Sequence, residues 1–371
     1  MTAPVVDQPL RPMEVSPRLG RLHDAFEFAG VDVLVVTHLT NLRYLSGFTG
    51  SAGILVVRSD GATLVTDGRY GDQAEVQIEA AGTDVEVVVE NTDQATRVRE
   101  AAGDAGRIGL EAEHLSWSAA TRYIEGVFGE AQVVPTSGLV EALRLTKDPG
   151  ELDRIQLAAR IADLALAEVR PMLADGPTER EFGLELDTTM RRLGAADVSF
   201  ETIVASGPNA ALPHHRPSDR RIREGDLVVL DFGALVDGYH SDMTRTIAVG
   251  EPSELQQRML DVVLESQAAG VAAVRAGVPA SEVDAACRTV IADAGWADAF
   301  THGTGHGVGL DIHEAPRVGK TSDATLGTGQ VVTVEPGVYL HPDGGVRIED
   351  TLVVEDEGAT ALTETPKTTV I

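Results

Sequence analysis

Cysteine and long apolar runs are both nearly absent from this sequence of 371 residues. Cys287 is the only cysteine, so no disulfide bond can form within the chain, which favours a reducing, cytoplasmic location. The helical spacing of the apolar residues around Cys287 predicts a small core residue rather than a nucleophile. No stretch approaches the roughly 18 apolar residues of a membrane-spanning helix, so we expect no membrane span.

Positive charge is also scarce. Lysine occurs only at Lys147, Lys320 and Lys367, and the formal net charge is −28. The phosphates of a nucleic acid would be repelled by a chain this acidic, so we expect no nucleic-acid partner. The hydrophobic content of 43% and charged content of 24% are typical of a globular protein, and the length allows two domains with their own cores.

The first half of the chain alternates predicted strands and helices, which indicates an α/β domain over residues 18–145 with a mixed sheet. The predicted strands are residues 31–36, 53–58, 62–66, 85–89 and 108–111. Residues 1–17 are rich in proline and lack the apolar core of a signal peptide. We therefore expect them to form a mobile N-terminal arm.

A second domain is predicted over residues 146–371. Asp148, a favourable N-cap residue, and Pro149, at the first helical position, indicate where its first helix begins. The predicted helices are residues 151–173, 178–193, 252–276 and 280–294. Strand patterns lie between and after these helices, so the predicted fold class is α+β, with helices packed outside a curved antiparallel sheet.

Two acidic residues occupy a predicted β-ribbon over residues 227–247. Asp237 and Gly238 are a strong two-residue turn signal between two apolar strands. Folding at this turn is expected to bring Asp242 roughly opposite Asp231. Side chains opposite each other in a ribbon have Cβ atoms about 4.5–5.5 Å apart, so the two carboxylates would repel each other.

A second ribbon, over residues 331–354, repeats this arrangement. Its predicted turn lies at residues 342–345 and sets Glu349 near Glu335. An ordinary sheet with acidic residues facing water is the alternative, but two such ribbons flanked by Val, Ile and Leu favour buried carboxylates with a divalent cation between them. Four carboxylates and the imidazole of His306 suit Mn²⁺ or Co²⁺, and Zn²⁺ or Fe²⁺ also fits these ligand types.

Several motifs match one known family. Residues 41–53 and 66–70 look like the creatinase-type N-terminal domain, and residues 205–214, 303–316, 334–338 and 345–350 match the catalytic domain. From about Arg18 to the C-terminus, the chain resembles metallopeptidases of the creatinase/prolidase type. The resemblance implies a pita-bread catalytic domain after a smaller creatinase-type α/β domain.

This resemblance also assigns ligands for two divalent metal ions. It implies that Asp231 binds one ion, that Asp242 and Glu349 bridge both, and that His306 and Glu335 bind the other. Carboxylate bridging suits ions roughly 3.5–4 Å apart, which can hold a hydroxide as the nucleophile. Glu335 would also serve as a proton shuttle.

Three histidines match positions that line the substrate site in this family. His313 is expected to donate a hydrogen bond to the substrate carbonyl or the oxyanion. His214 is expected to contact the substrate, and His302 to border the proline pocket. Arg347 lies two residues before Glu349, and hence on the same strand face, so it is expected to anchor a metal ligand through a salt bridge.

The leading prediction is an Xaa-Pro dipeptidase, with a short proline-containing peptide as substrate. Aminopeptidase P, which acts on longer Xaa-Pro peptides, is implied equally by the ligand set. The N-terminal domain, supplied by the second subunit of an expected homodimer, would decide between them by blocking or leaving open the space beyond proline. A non-catalytic binding protein of the same fold is a third possibility, but relatives of that kind have lost ligands that this sequence retains.

Overall fold

A computed structural model describes residues 9–367 and 370–371, which form two compact units. The N-terminal unit comprises residues 12–144, and the C-terminal unit comprises residues 145–371 together with the described residues up to Arg11. Of the predicted mobile arm, residues 1–8 lie outside the described residues. In the described part, Arg11 Nε donates to Asp153 Oδ2 at 2.8 Å, and the mobility of the arm stays a prediction.

The N-terminal unit contains a six-stranded mixed sheet in the order β4-β3-β2-β1-β5-β6. Its strands are β1 (Val33–Val36), β2 (Ile54–Arg58), β3 (Gly61–Thr66), β4 (Val85–Val89), β5 (Arg107–Glu111) and β6 (Gln132–Thr136). Its α-helices are α1 (Arg18–Asp24), α2 (Phe26–Ala29), α3 (Leu39–Ser46), α4 (Gly71–Ala81), α5 (Gln94–Ala102), α6 (Trp117–Thr121) and α7 (Leu139–Arg144). The sequence does not predict β6, because it contains Pro135, and proline in a sheet is tolerated at an edge strand such as this one.

Four long helices accompany the sheets of the C-terminal unit: α8 (Pro149–Val169), α9 (Glu179–Leu193), α10 (Glu254–Ala273) and α11 (Ala280–Asp293). Asp148 caps α8 in a capping box, and a 3₁₀ turn over Arg170–Asp175 ends the segment predicted as one helix. Cys287 is buried in α11, and burial raises the pKa of its thiol to about 12. Among residues 9–367 and 370–371, no helix combines the length and apolar composition required to cross a membrane.

All pairs of strands in the C-terminal unit are antiparallel among the described residues. The strands are β7 (Asp197–Val198), β8 (Ile203–Ser206), β9 (Leu227–Phe232), β10 (Ala234–Val236), β11 (Tyr239–His240), β12 (Met243–Ala248), β13 (Gly305–Gly307), β14 (Glu314–Val318), β15 (Val331–Val334), β16 (Gly337–Leu340), β17 (Gly344–Arg347), β18 (Asp350–Glu355) and β19 (Gly358–Ala361). They form sheets in the orders β12-β9-β8, β14-β13-β15-β18-β19, β11-β10-β7 and β16-β17. Helices beside antiparallel sheets agree with the predicted α+β class.

The first ribbon turns where predicted, but its register corrects one expectation. Asp237 and Gly238 both have positive φ, 44° and 74°, and join β10 to β11. Counting outward from a two-residue turn places Thr244, not Asp242, opposite Asp231. Asp242 lies two residues away on the same face, since side chains alternate with period two, so the two carboxylates are diagonal neighbours.

In the second ribbon, the two glutamates do face each other. The pairs Val334–Asp350 and Gly337–Arg347 flank Glu335 and Glu349 in a single register. The turn is shorter than predicted, because Leu340 already pairs with Gly344. The two ribbons meet where the backbone N–H of Glu349 donates to the carbonyl of Thr244, and three of the four acidic residues lie on short segments between strands, while Asp231 lies within β9.

Candidate metal centre

Five predicted ligands converge within the C-terminal unit, and we call them the acidic cluster: Asp231, Asp242, His306, Glu335 and Glu349. Asp231 lies on β9, Asp242 directly before β12, and His306 on β13, while the two glutamates lie between strands. His306 Nε2 is 3.5 Å from both Asp242 Oδ2 and Glu335 Oε1. Ligand atoms of Asp242, His306 and Glu349 all lie within 4.8 Å of one another.

The carboxylates of the acidic cluster repel one another, so their ionised forms are unfavourable without a cation. Burial, together with Glu349 and Asp231, raises the pKa of Asp242 well above its usual range. Burial and the charge of Glu349 do the same to the pKa of Glu335. The pKa of Glu349 is raised to about 8, first by burial and then by Asp231. Each carboxylate therefore destabilises the ionised form of its neighbours.

Two carboxylate oxygens of the acidic cluster also lack a hydrogen-bond partner among the described residues. These buried atoms are Asp231 Oδ1 and Glu349 Oε1. Buried polar atoms normally have a hydrogen-bond partner. A buried carboxylate oxygen can instead bind a cation. The donor set and the two unpaired oxygens thus fit divalent metal ions.

His306 presents the correct nitrogen to the carboxylates. Its Nδ1 lies 3.0 Å from the carbonyl oxygen of Gly307, which only accepts, so Nδ1 carries the proton. The lone pair of the neutral ring is then on Nε2, which faces Asp242 and Glu335. Burial lowers the pKa of His306 to about 4, which keeps the ring neutral near pH 7 and available as a ligand.

Arg347 joins the acidic cluster to its surroundings. Its Nη2 lies 2.6 Å from Asp231 Oδ2, which is the kind of salt bridge expected from the sequence. Its Nε donates to Thr244 Oγ1 at 3.1 Å, and Thr244 Oγ1 in turn donates to Glu349 Oε2 at 2.7 Å. The guanidinium of Arg347 thereby orients Asp231 directly and Glu349 through Thr244.

A tyrosine links Arg347 to the predicted proline-pocket histidine. Arg347 Nη1 donates to Tyr339 Oη at 2.9 Å, and Tyr339 Oη lies 2.8 Å from His302 Nε2. His302 Nδ1 faces the carbonyl of Gly303, so Nε2 accepts the proton of the tyrosine hydroxyl. Burial, followed by the charge of Arg347, lowers the pKa of His302 to about 4, so this ring is neutral.

His313, another of the predicted substrate histidines, contacts the acidic cluster. The ring of His313 meets the ring of His306 edge to face, with centroids 4.5 Å apart. His214 is exposed and interacts electrostatically with His302 and His313. Arg347 Nη1 also donates to the carbonyl of Pro213 at 3.3 Å, which ties the chain beside His214 to the same arginine.

Thr244 and Tyr339 are not among the site residues predicted from the sequence. Thr244 carries a recognisable signal, because it lies two residues after Asp242 and therefore on the same face of its strand. Tyr339 carries none, since its partner His302 is 37 residues away. A hydroxyl that connects two distant segments is visible only in the folded chain.

A second group of candidate ligands, in the N-terminal unit, has a different geometry. His38, His114 and Glu141 offer ligand atoms within 4.8 Å of one another. The two imidazole rings are stacked, with centroids 3.7 Å apart and planes only 3° from parallel. Lone pairs lie in the ring plane, so those of two parallel rings do not converge on one ion, and the geometry does not favour a metal site.

Comparison with protein families accounts for almost the whole chain. Residues 153–356 match the model of metallopeptidase family M24, and residues 18–146 match that of the creatinase/prolidase N-terminal domain. The chain belongs to metallopeptidase family M24. Its acidic cluster lies entirely within the segment that matches this M24 model.

Relatives of this M24 chain match over nearly their full length. An Xaa-Pro dipeptidase of Pyrococcus furiosus is 36% identical, covering 94% of this chain and 98% of the relative. A solved Xaa-Pro dipeptidase from Bacillus anthracis superimposes with a TM-score of 0.92 at 41% identity, covering 95% and 99% of the two chains. A solved X-Pro aminopeptidase from Thermotoga maritima gives a TM-score of 0.86 at 35% identity, covering 94% and 100%. The chain is therefore a metallopeptidase with the creatinase and pita-bread architecture, as the resemblance implies.

Proposed function

We propose that this protein hydrolyses the Xaa-Pro bond of dipeptides with the help of two divalent metal ions. The observation that carries the proposal is a set of carboxylates that repel one another. Two of their buried oxygens, Asp231 Oδ1 and Glu349 Oε1, have no hydrogen-bond partner. The names of the Pyrococcus furiosus and Bacillus anthracis relatives support the dipeptide substrate. A peptide bond to proline has no N–H, so an enzyme must recognise it through other groups.

Asp231, Asp242, His306, Glu335 and Glu349 would hold the ions. Bound there, the ions would lower the pKa of a water molecule and stabilise negative charge on the substrate oxygen. The set of one imidazole and four carboxylates favours Mn²⁺ or Co²⁺, with Zn²⁺ or Fe²⁺ as further candidates. Metal analysis of the purified protein, and activity after reconstitution with each ion in turn, test this assignment.

The remaining side chains position the substrate and move a proton. Glu335 takes a proton at its carboxylate from the attacking water and returns it to the leaving proline nitrogen. His313 donates a hydrogen bond to the scissile carbonyl, and His214 binds the substrate at the exposed side of the site. His302 borders the proline ring, and Arg347 keeps Asp231 in place.

The runner-up function is aminopeptidase P activity on longer peptides, which is favoured by the Thermotoga maritima structure. The two functions differ in whether a residue beyond proline is accepted. Alanyl-proline, the same peptide extended by one residue, and alanyl-alanine should be compared under identical metal conditions. Cleavage of alanyl-proline alone supports the dipeptidase, and cleavage of the longer peptide supports the aminopeptidase.

Cleavage of alanyl-alanine with neither proline peptide would contradict both assignments. A non-catalytic binding role would be indicated by a fully metal-loaded protein that cleaves no peptide at all.

We also propose a homodimer in the cytoplasm. Sedimentation analysis tests the first of these statements, and fractionation of the source cells tests the second.

A further inference from the structure

Glu179 is a fully buried carboxylate outside the acidic cluster. It is the first residue of α9, and its side chain has no exposed surface. The helix does not need this side chain as a cap, because Thr178 and Glu181 form a complete capping box. The burial of Glu179 therefore has another purpose.

The carboxylate of Glu179 accepts hydrogen bonds from six donor groups on one segment, residues 206–218, which we call the His214 loop. Oε1 accepts from the backbone N–H and hydroxyl of Ser206, at 2.8 and 2.7 Å, and from Asn209 Nδ2 at 2.9 Å. Oε2 accepts from the backbone N–H and hydroxyl of Ser218, at 3.0 and 2.5 Å, and from His215 Nε2 at 2.9 Å. One side chain thus binds both ends and the middle of the loop.

The His214 loop is also held on its opposite side. Arg347 Nη1 donates to the carbonyl of Pro213, and Arg347 itself binds Asp231 of the acidic cluster. His214 lies between these two anchors, with Pro213 held by Arg347 on one side and His215 held by Glu179 on the other. Its backbone position is therefore set by two charged side chains, although His214 itself is exposed.

We propose that Glu179 is a positioning residue that holds His214 where it binds the substrate. The inference rests on the proposed function, because it takes His214 as a substrate-binding residue. Hydrogen bonds to a buried carboxylate are stronger than those between neutral groups, so the loop is held in one arrangement before substrate arrives. Such preorganisation strengthens substrate binding, because the loop does not have to be ordered during binding.

The test is the variant Glu179→Gln in the full-length, metal-loaded protein. A glutamine can accept at one oxygen only and presents an NH₂ group to the donors that faced Oε2. We expect KM for alanyl-proline to rise about tenfold, the size of one lost charge-assisted hydrogen bond, with kcat within about threefold. Metal content should be unchanged, and the amide of Ser218 should exchange its hydrogen at least about tenfold faster.

Glu181→Gln is the matched control. It makes the same chemical change one half-turn further along α9, where Glu181 contacts the backbone of Thr178 and not the His214 loop. KM and the exchange of the Ser218 amide should stay at the wild-type values in this variant. An equal rise in KM in both variants would overturn the proposal, since it would reflect the helix rather than the loop.

A double-mutant cycle with His214→Ala shows whether Glu179 acts through His214. If it does, Glu179→Gln should add little to the KM of the His214→Ala protein, whereas independent effects would multiply and overturn the proposal. Should Glu179→Gln fail to fold, Asn209→Ala and Ser218→Ala remove donors from the loop side and should raise KM in the same direction. Wild-type protein that cleaves no proline peptide would instead refute the proposed function, and is thus a distinguishable outcome.

Discussion

Two carboxylate centres in the C-terminal unit are equally buried but have opposite electrostatics. Glu349 in the acidic cluster is 2% exposed and Glu179 is 0% exposed. The pKa of Glu349 is raised to about 8, whereas the pKa of Glu179 is lowered to about 2. Burial raises both values, so the difference comes from the groups that surround each carboxylate.

The surroundings explain what each centre requires. At Glu179, hydrogen bonds from Ser218, Asn209 and Ser206 outweigh the effect of burial and stabilise the anion. At Glu349, the hydroxyl of Thr244 binds one oxygen, the other oxygen is unpaired, and Asp231 adds a second negative charge. The first centre is satisfied by protein donors alone, whereas the unpaired oxygen and the neighbouring negative charge of the second centre fit a bound cation.

The largest expected effect comes from Asp242→Asn, which removes one anion from the acidic cluster without changing its shape. Loss of a ligand should lower metal content and reduce turnover at least about a thousandfold, equivalent to about 4 kcal/mol. The metal-free variant should be at least as stable as the metal-free wild type, because Asp242 is repelled by Glu349 and Asp231. Peptide turnover, metal analysis and thermal unfolding in a chelator measure these three quantities.

Asp343→Asn is the control for this comparison, because Asp343 is an exposed residue in the turn of the second ribbon. It should leave turnover, metal content and stability unchanged. Near-normal turnover of Asp242→Asn with full metal content would contradict the assignment of Asp242 as a metal ligand. A large loss of stability in the metal-free variant would contradict the repulsion described here.

An intermediate effect is expected in the pH dependence of stability. The folded-state pKa of Glu179 lies below its ordinary value of 4.5, so its stabilising contribution is present above pH 4.5 and is lost as the pH falls toward about 2. Between about pH 6 and about pH 3.5, wild type should lose about 1 kcal/mol more of its free energy of unfolding than Glu179→Gln. Denaturant unfolding of both proteins at the two pH values measures the difference, and parallel losses would show that Glu179 is not stabilised as an anion.

The acidic cluster was largely predictable from sequence, whereas the Glu179 centre was not. Turn residues such as Asp237 and Gly238 define a ribbon, and period-two alternation then places Asp231 and Asp242 on one face. The prediction that Asp242 lies opposite Asp231 was wrong. Counting residue by residue outward from the turn gives Thr244 as the partner, as the structure shows. Local patterns therefore identified the ribbon and the face but left an error of two residues in the register.

The partners of Glu179 come from residues that lie 27 to 39 positions further along the chain. Serine and asparagine are common residue types in loops. Nothing in the spacing of Ser206, Asn209 and Ser218 indicates that they share a hydrogen-bond acceptor. The sequence around Thr178 predicts the capping box of α9 but not that Glu179 points away from it. Contacts of this kind depend on how α9 packs beside β8, which is determined by the whole core.

The smallest expected effect concerns Tyr339, whose hydroxyl connects the charged Arg347 to the neutral His302. Tyr339→Phe keeps the ring but removes an acceptor from Arg347 and a donor from His302. Because Arg347 retains its bonds to Asp231 and Thr244, we expect kcat/KM for alanyl-proline to fall only about three- to tenfold, roughly one hydrogen bond, with metal content unchanged. Tyr123→Phe, in the N-terminal unit, is the matched control and should have no effect. If Tyr339→Phe also released metal, the role of Tyr339 would be to support the metal ligands. Of the two linked residues, only His302 would then be left to position the substrate.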